Sequence, residues 1–191
     1  MSRHIYKHLM NGRILNRYQL NNSSERVNNP WFDEIMGNLD DYRHLYTMSG
    51  YRLIEHPDYL YIIDDDATEL KTDITMKAYC LLLIIGKYLM INNYSLDKIM
   101  SEKAGLSIDD FKQMEQVPYI EEILEKAKFT DKKGHNFYSL VLTTLVEREI
   151  MLEKKSAKLF ILSDAGKAFF QELLQEQESF FKETEERQGT Q

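Results

Sequence analysis

The sequence predicts a mainly helical α+β fold in two tandem units, each a group of helices closed by a small β-hairpin, and three observations lead to it. Apolar residues recur at three- and four-residue steps over Trp31 to Tyr46 and again over Phe137 to Leu145, the spacing of one helical face. Each stretch is followed by two β-prone runs around a polar turn. Between the two patterns stand Asp64, Asp65 and Asp66, a run of like charge that sets the boundary between a unit 1–66 and a unit 67–191.

The first unit opens with a short helix over 4–10, carrying Ile5, Leu9 and Met10 and ended by Asn11-Gly12, a pair suited to a left-handed C-terminal cap. Gln19 to Asn29 is rich in asparagine and serine, lacks periodicity and ends at Pro30, so it reads as a loop. Trp31, Ile35, Leu39, Tyr42, Leu45 and Tyr46 then form one apolar stripe of a single helix, closed by Gly50. Tyr51 to Ile63 alternates on both sides of His56-Pro57-Asp58, a turn-forming cluster, and predicts a hairpin.

The second unit starts with a long helix capped by Thr68 and running to about Asn92. Its most apolar stretch, Tyr79 to Met90, is too short for the ~20 residues that cross a bilayer, and is predicted to be a buried core helix. Ser95 caps a helix to Ala104, Gly105 ends it, and Ser107-Ile108-Asp109-Asp110 starts another. After a polar turn over 130–135, Phe137, Leu140, Val141, Thr144, Leu145 and Arg148 mark an amphipathic helix. A second hairpin follows, with strands over 150–153 and 158–162, and Ser163-Asp164-Ala165-Gly166 begins a last helix carrying Phe169, Phe170, Leu173 and Leu174, then Phe180 and Phe181. Helices followed by a hairpin is the order of a winged helix, so the expected architecture is two winged-helix domains in tandem.

Composition narrows the function. With 43% apolar and 29% charged residues among 191, the chain has the balance of a folded globular protein. Its start lacks a basic stretch followed by an apolar run, so no secretory signal is readable and a cytoplasmic location is expected. The lone Cys80, inside the apolar helix, reads as a packed small hydrophobe. A net charge of −7 argues against a dedicated nucleic-acid binder, because phosphate neutralisation by Lys and Arg supplies most such affinity. The charge is also segregated: Arg3, Lys7, Arg13, Arg17 and Arg26 face only Glu25 in the first 29 residues, whereas glutamates crowd the end from Glu172 onward.

No catalytic apparatus is readable, and no cofactor or metal is expected. None of the eight glycines forms a phosphate-cradling loop. His4 and His8 share a helical face but lack a third ligand, and are expected to be surface histidines. The three aspartates lack the further oxygen ligands of a calcium loop and read as a solvated linker. Ser163 has no nucleophile elbow around it and reads as a helix cap. The aromatic surplus of 12 Tyr, 9 Phe and 1 Trp reads either as an ordinary core or as contact area for a partner.

The motifs Leu9-Met10-Asn11-Gly12-Arg13-Ile14-Leu15-Asn16-Arg17, Trp31-Phe32-Asp33-Glu34-Ile35, Tyr42-Arg43-His44-Leu45-Tyr46 and Gly50-Tyr51-Arg52-Leu53 before Tyr59-Leu60-Tyr61-Ile62 occur in an order that resembles the MukE and MksE family. These are the small subunits of bacterial condensin-like complexes. The resemblance covers 5–64 by motif and the rest by architecture, and the length is nearer the MksE type, including its plasmid-defence relative. It implies a non-catalytic homodimer that binds the kleisin (MukF- or MksF-like) of an SMC-type ATPase. It further implies a nucleoid-associated role in chromosome segregation, DNA organisation or plasmid defence.

Trp31, Tyr42, Tyr46, Tyr51, Tyr59 and Tyr61 are then the candidate partner contacts. Lys132, Lys133, Lys154, Lys155 and Lys158, in and beside the second hairpin, are the candidate DNA contacts. The alternative is a winged-helix transcription regulator, whose helix over 137–148 would enter the major groove while Lys154 and Lys155 touch phosphates.

Overall fold

The computed structural model describes residues 2–66, 73–126 and 136–175. It is a mixed α+β chain with small antiparallel sheets. Helix α1 (Arg3–Met10) is capped by the Ser2 hydroxyl, buries Ile5, His8 and Leu9, and ends where Gly12 takes φ +69°. Strand β1 (Leu15–Asn16) follows.

The expected loop over Gln19 to Asn29 is instead largely a ribbon, β2 (Tyr18–Leu20) paired with β3 (Arg26–Asn28). Its turn forms because the Asn21 carboxamide accepts the amides of Ser23 and Glu25, both at 2.9 Å, so the polar residues organise the chain locally without periodicity.

The single helix expected from Trp31 to Tyr46 is two, α2 (Pro30–Gly37) and α3 (Leu39–Met48). The Asn29 carboxamide caps α2 and Pro30 occupies its first turn. Gly37 and Asn38 are both poor helix formers, and Asn38 leaves the helical region at φ −134° and ψ 38°. The break still leaves Ile35 of α2 and Tyr42 of α3 in one core. Hairpin β4 (Tyr51–His56) and β5 (Tyr59–Asp64) then forms as the alternation predicts, in register from Tyr51↔Asp64 to His56↔Tyr59. Strand β1 joins the free edge of β5, giving the order β1-β5-β4.

The cap expected at Thr68 lies outside the described residues. Helix α4 (Asp73–Ile91) is the buried core helix that the sequence predicts, with Leu81, Leu82, Ile84, Ile85 and Leu89 at 1% exposure or less. The next helix is shorter than expected: α5 (Asp97–Met100) begins where the Ser95 hydroxyl accepts the Asp97 amide and stops because Ser101 is extended. Gly105 adopts φ +152° and admits β6 (Leu106–Ser107) against β8, since a Cβ there would meet the Leu159 Cβ at 2.7 Å. Ser107 and Asp110 form a reciprocal capping box at α6 (Ile108–Glu115), and α7 (Pro118–Lys126) follows.

The helix expected to reach Arg148 is α8 (Phe137–Val141), which widens into a π-helical turn over Leu142–Val146 and is finished by 147. Strands β7 (Met151–Lys154) and β8 (Leu159–Leu162) make the second hairpin, and β6 completes a sheet of order β6-β8-β7. Helix α9 covers 164–175, capped by Ser163, whose hydroxyl accepts the Gly166 amide at 3.0 Å. Phe180 and Phe181 lie outside the described residues.

Leaving aside the β2–β3 ribbon of the first half and the short α5 of the second, both halves run helix, strand, helices, hairpin, and in both three-stranded sheets the last strand lies in the middle. Two apolar cores form. The smaller holds Leu9, Leu15, Ile35, Tyr42, Tyr46 and Leu60. The larger is centred on α4 and takes in Ile14 and Tyr59 from the first half. Among the described residues, no helix is long and apolar enough to cross a membrane.

Candidate functional site

The densest polar geometry lies along the seam between the two halves. Asn16, 1% exposed, is its centre: its Nδ2 donates to the Glu149 carbonyl at 2.9 Å and its Oδ1 accepts the Ala165 amide at 3.1 Å. The Ile14 amide donates to the Arg148 carbonyl at 3.0 Å, and the Arg148 guanidinium donates back to the Gly12 carbonyl at 3.0 Å. Strand β1 is thus held by β5 on one side and by the turn before β7 on the other.

The ribbon extends the seam. Arg26 donates to Glu102 at 2.9 Å and to Asp164 at 3.0 Å while its guanidinium stacks 3.9 Å over the Tyr18 ring. Ser24 at the ribbon tip meets Ser156 at the tip of the second hairpin, 2.8 Å apart. Ser24, one of the polar residues that make the stretch look like a loop, joins Arg26 in fastening it to the second half.

The aromatic candidates divide. Tyr42 and Tyr46 are fully buried and Tyr59 is 8% exposed, so at these three candidate partner contacts the ring belongs to the core, a correction to their assignment as contacts. A small core needs bulky groups to fill it, and an aromatic ring removes more apolar surface from water than most side chains. Tyr42 donates its hydroxyl to Glu34 at 2.6 Å, and burial together with that carboxylate pushes its pKa up to about 12. Tyr46 stacks between Tyr6 and Tyr42 with its hydroxyl buried and unpartnered.

Tyr59 and Tyr61 meet the Phe169 ring of α9 edge-on, at 5.8 and 6.5 Å, so they are contact residues within the chain. Tyr51 is half-buried, and Trp31 remains 37% exposed, its ring edge against His8 at 5.4 Å. Met36 and Met48 in the first half, Met90 and Ile91 at the end of α4 and Tyr94 in the loop after it are also exposed. The interrupted helical stripe could have signalled the outward side of α2; Asn16 stands in a family motif and Arg26 among the basic residues of the first 29, but no local pattern marks either as a seam residue.

The basic candidates divide as well. Lys132 and Lys133 lie outside the described residues. Lys154 spends its ammonium on the Glu102 and Ala104 carbonyls, at 2.8 and 3.5 Å, and so ties the hairpin to the loop after α5. Lys155 and Lys158 are exposed at the tip. The pair expected to be surface histidines also separates: His4 is exposed, whereas His8 is 8% exposed and sits 3.5 Å from Glu149 across the seam. His8 is drawn in because it occupies the inward face of α1, between Ile5 and Leu9. Cys80 is partly buried, and desolvation pushes its thiol pKa up, away from the reactive thiolate.

Fold and seam together define a small mixed α+β chain with two three-stranded antiparallel sheets, its first and second halves joined through β1 and the ribbon. The family of the condensin complex protein MksE matches residues 1–174, and the chain belongs to that family. It is thereby a condensin-type subunit. Neither the curated proteins nor the solved structures yield a significant match.

Proposed function

We propose that this chain is the small, non-catalytic, tandem winged-helix subunit of a cytoplasmic, nucleoid-associated condensin-type complex, and that it works by binding the kleisin of an SMC-like ATPase. The observation that carries the reading is the repetition of one sheet order, β1-β5-β4 and β6-β8-β7, in the first and second halves of the chain. We read each half as a winged helix serving as a protein-binding module. Membership in the MksE family supplies the class of assembly.

The exposed apolar groups Trp31 and Met36 on α2 and Met90 and Ile91 on α4 are the contact area such a partner would cover. A homodimer is part of the proposal, as is DNA contact through Lys155 and Lys158 once the complex holds the duplex nearby. The role that follows is DNA organisation, in chromosome segregation or in defence against plasmids.

A free-standing regulator is the weaker reading. The one basic group of its would-be recognition helix, Arg148, donates to the Gly12 carbonyl inside the seam and is flanked by Glu147 and Glu149. Co-expression with the neighbouring gene products and affinity purification at low salt tests the proposal. Recovery of a kleisin and an SMC-type protein is expected; purification of this chain alone, together with specific binding to a short duplex, would reverse the order of the two readings. Light scattering of the purified chain at micromolar concentration tests the dimer.

A further inference from the structure

The seam contains a titratable pair that the proposed function does not use. His8 projects from α1 and Glu149 from the turn before β7, with Nε2 and Oε1 3.5 Å apart and the two side chains 7% and 29% exposed. His8 Nε2 also lies 3.3 Å from the Ile14 carbonyl oxygen. Facing two oxygen acceptors, Nε2 must carry the imidazole proton. Glu149 holds the left-handed conformation at φ +61°, unusual for a non-glycine residue. That backbone is kept in place by the Asn16 carboxamide on the Glu149 carbonyl and by the Ile14 amide on the Arg148 carbonyl.

We propose that this pair is a proton-operated clasp, which holds the two halves closed while the Glu149 carboxyl is protonated and loosens them when it ionises. At 3.5 Å the imidazole N–H is beyond the 2.7–3.2 Å of a good hydrogen bond, so a carboxylate there loses water without a strong replacement. Arg13, from the α1–β1 loop, attracts the charge and recovers part of that loss. Arg148 and Glu147 flank Glu149 on its own turn, with the Arg148 guanidinium directed at Gly12. From α2 the neighbour is the uncharged Trp31 ring against His8, and from β1 it is the uncharged Asn16.

Burial dominates, pushing Glu149 up to about 7 and His8 down. The sign follows. A carboxyl whose pKa is higher in the closed state favours closure fully below its ordinary value of 4.5 and loses that contribution as pH rises through about 7. From Glu149 alone the closing constant falls about thirty-fold between pH 5.5 and pH 8; His8, held down by burial, disfavours closure as pH falls below its ordinary 6.5 and makes the net fall smaller.

The test is amide hydrogen exchange of the full chain, followed by NMR from pH 5.5 to 8 with the intrinsic exchange rate divided out. The reporter is the Ile14 amide, which crosses the seam; the reference is the Ile54 amide, which faces Tyr61 in a hydrogen-bonded pair of the β4–β5 hairpin within a single half. Protection of Ile14 relative to Ile54 should drop by up to about thirty-fold, most steeply below about pH 7 and levelling off above it, and Glu149→Gln, a neutral isostere of the protonated form, should hold it high without that fall. Asp164, at the other end of the seam and also pushed up by burial, stays intact in that variant and serves as the internal competitor. A flat wild-type profile overturns the proposal. So does a Glu149→Gln profile that keeps the slope, or a slope that disappears in His8→Asn while surviving in Glu149→Gln, since the titrating group would then be Asp164 or His8. The measurement uses the chain alone and is independent of any partner.

Discussion

Replacing Asn16 by alanine removes two hydrogen bonds that join the halves. Its Nδ2 and Oδ1 serve the Glu149 carbonyl and the Ala165 amide, whereas its backbone carbonyl, which accepts the Asn29 carboxamide at 2.9 Å, survives the change. The Ala165 amide lies in the first turn of α9, where helix N–H groups have no intrahelical acceptor, and the contact is buried. Leaving a buried donor or acceptor unsatisfied costs about 1–3 kcal/mol. With one group fully buried and the other partly so, the loss should be about 2–4 kcal/mol, a large share of the ~5–15 kcal/mol that holds a typical domain together.

Equilibrium urea unfolding, read by Trp31 fluorescence and by far-ultraviolet circular dichroism, measures this loss. At a slope of about 2 kcal/mol per molar, the midpoint should fall by about 1–2 M. Asn16→Asp keeps the acceptor for Ala165 but sets a carboxylate against the Glu149 carbonyl, and should cost at least as much at neutral pH. A midpoint shift below about 0.3 M for Asn16→Ala would show that the seam draws its stability elsewhere.

Gly166→Ala should cost more than about 3 kcal/mol or prevent folding, because its Cβ would meet the Ile150 carbonyl oxygen, which already accepts the Ser163 amide and hydroxyl. Gly37→Ala, with nothing within 4 Å, is the matched control and should change little; comparable melting temperatures for the two variants would refute the clash. Tyr46→Phe removes a buried hydroxyl that has no partner and should stabilise the chain by about 1 kcal/mol, a rise of about 2–4 °C in Tm. A loss of stability there would reveal a partner for that hydroxyl. Lys155→Glu with Lys158→Glu should leave unfolding unchanged and weaken DNA retention by the assembled complex, with a shallower salt dependence, because fewer counterions are released. Unchanged retention and slope would remove the hairpin tip from the DNA contacts.

What the sequence determined by itself is local. The hairpin around His56-Pro57-Asp58, the capping box at Ser107 and Asp110, the cap at Ser163 and the buried face of α4 each rest on residues a few positions apart, where turn chemistry, capping and periodicity act. The family was legible too, because the order of its apolar and glycine motifs is itself a sequence property.

Tertiary structure decided what joins positions far apart. Strands β1 and β6 are two residues each, too short to show alternation, and exist because the edges of β5 and β8 accept them. Asn16 reads as one polar residue among many until it meets Glu149 and Ala165, 133 and 149 positions away. Arg26 looks solvated until Glu102 and Asp164 converge on it. Tyr42, Tyr46 and His8 could each have faced water or core, and packing turned them inward, since burying large rings fills a small core more effectively than leaving them to a partner. Local propensity sets which elements form; the pairing of their edges and the partners of their buried polar groups are non-local, and only the folded chain brings those groups together.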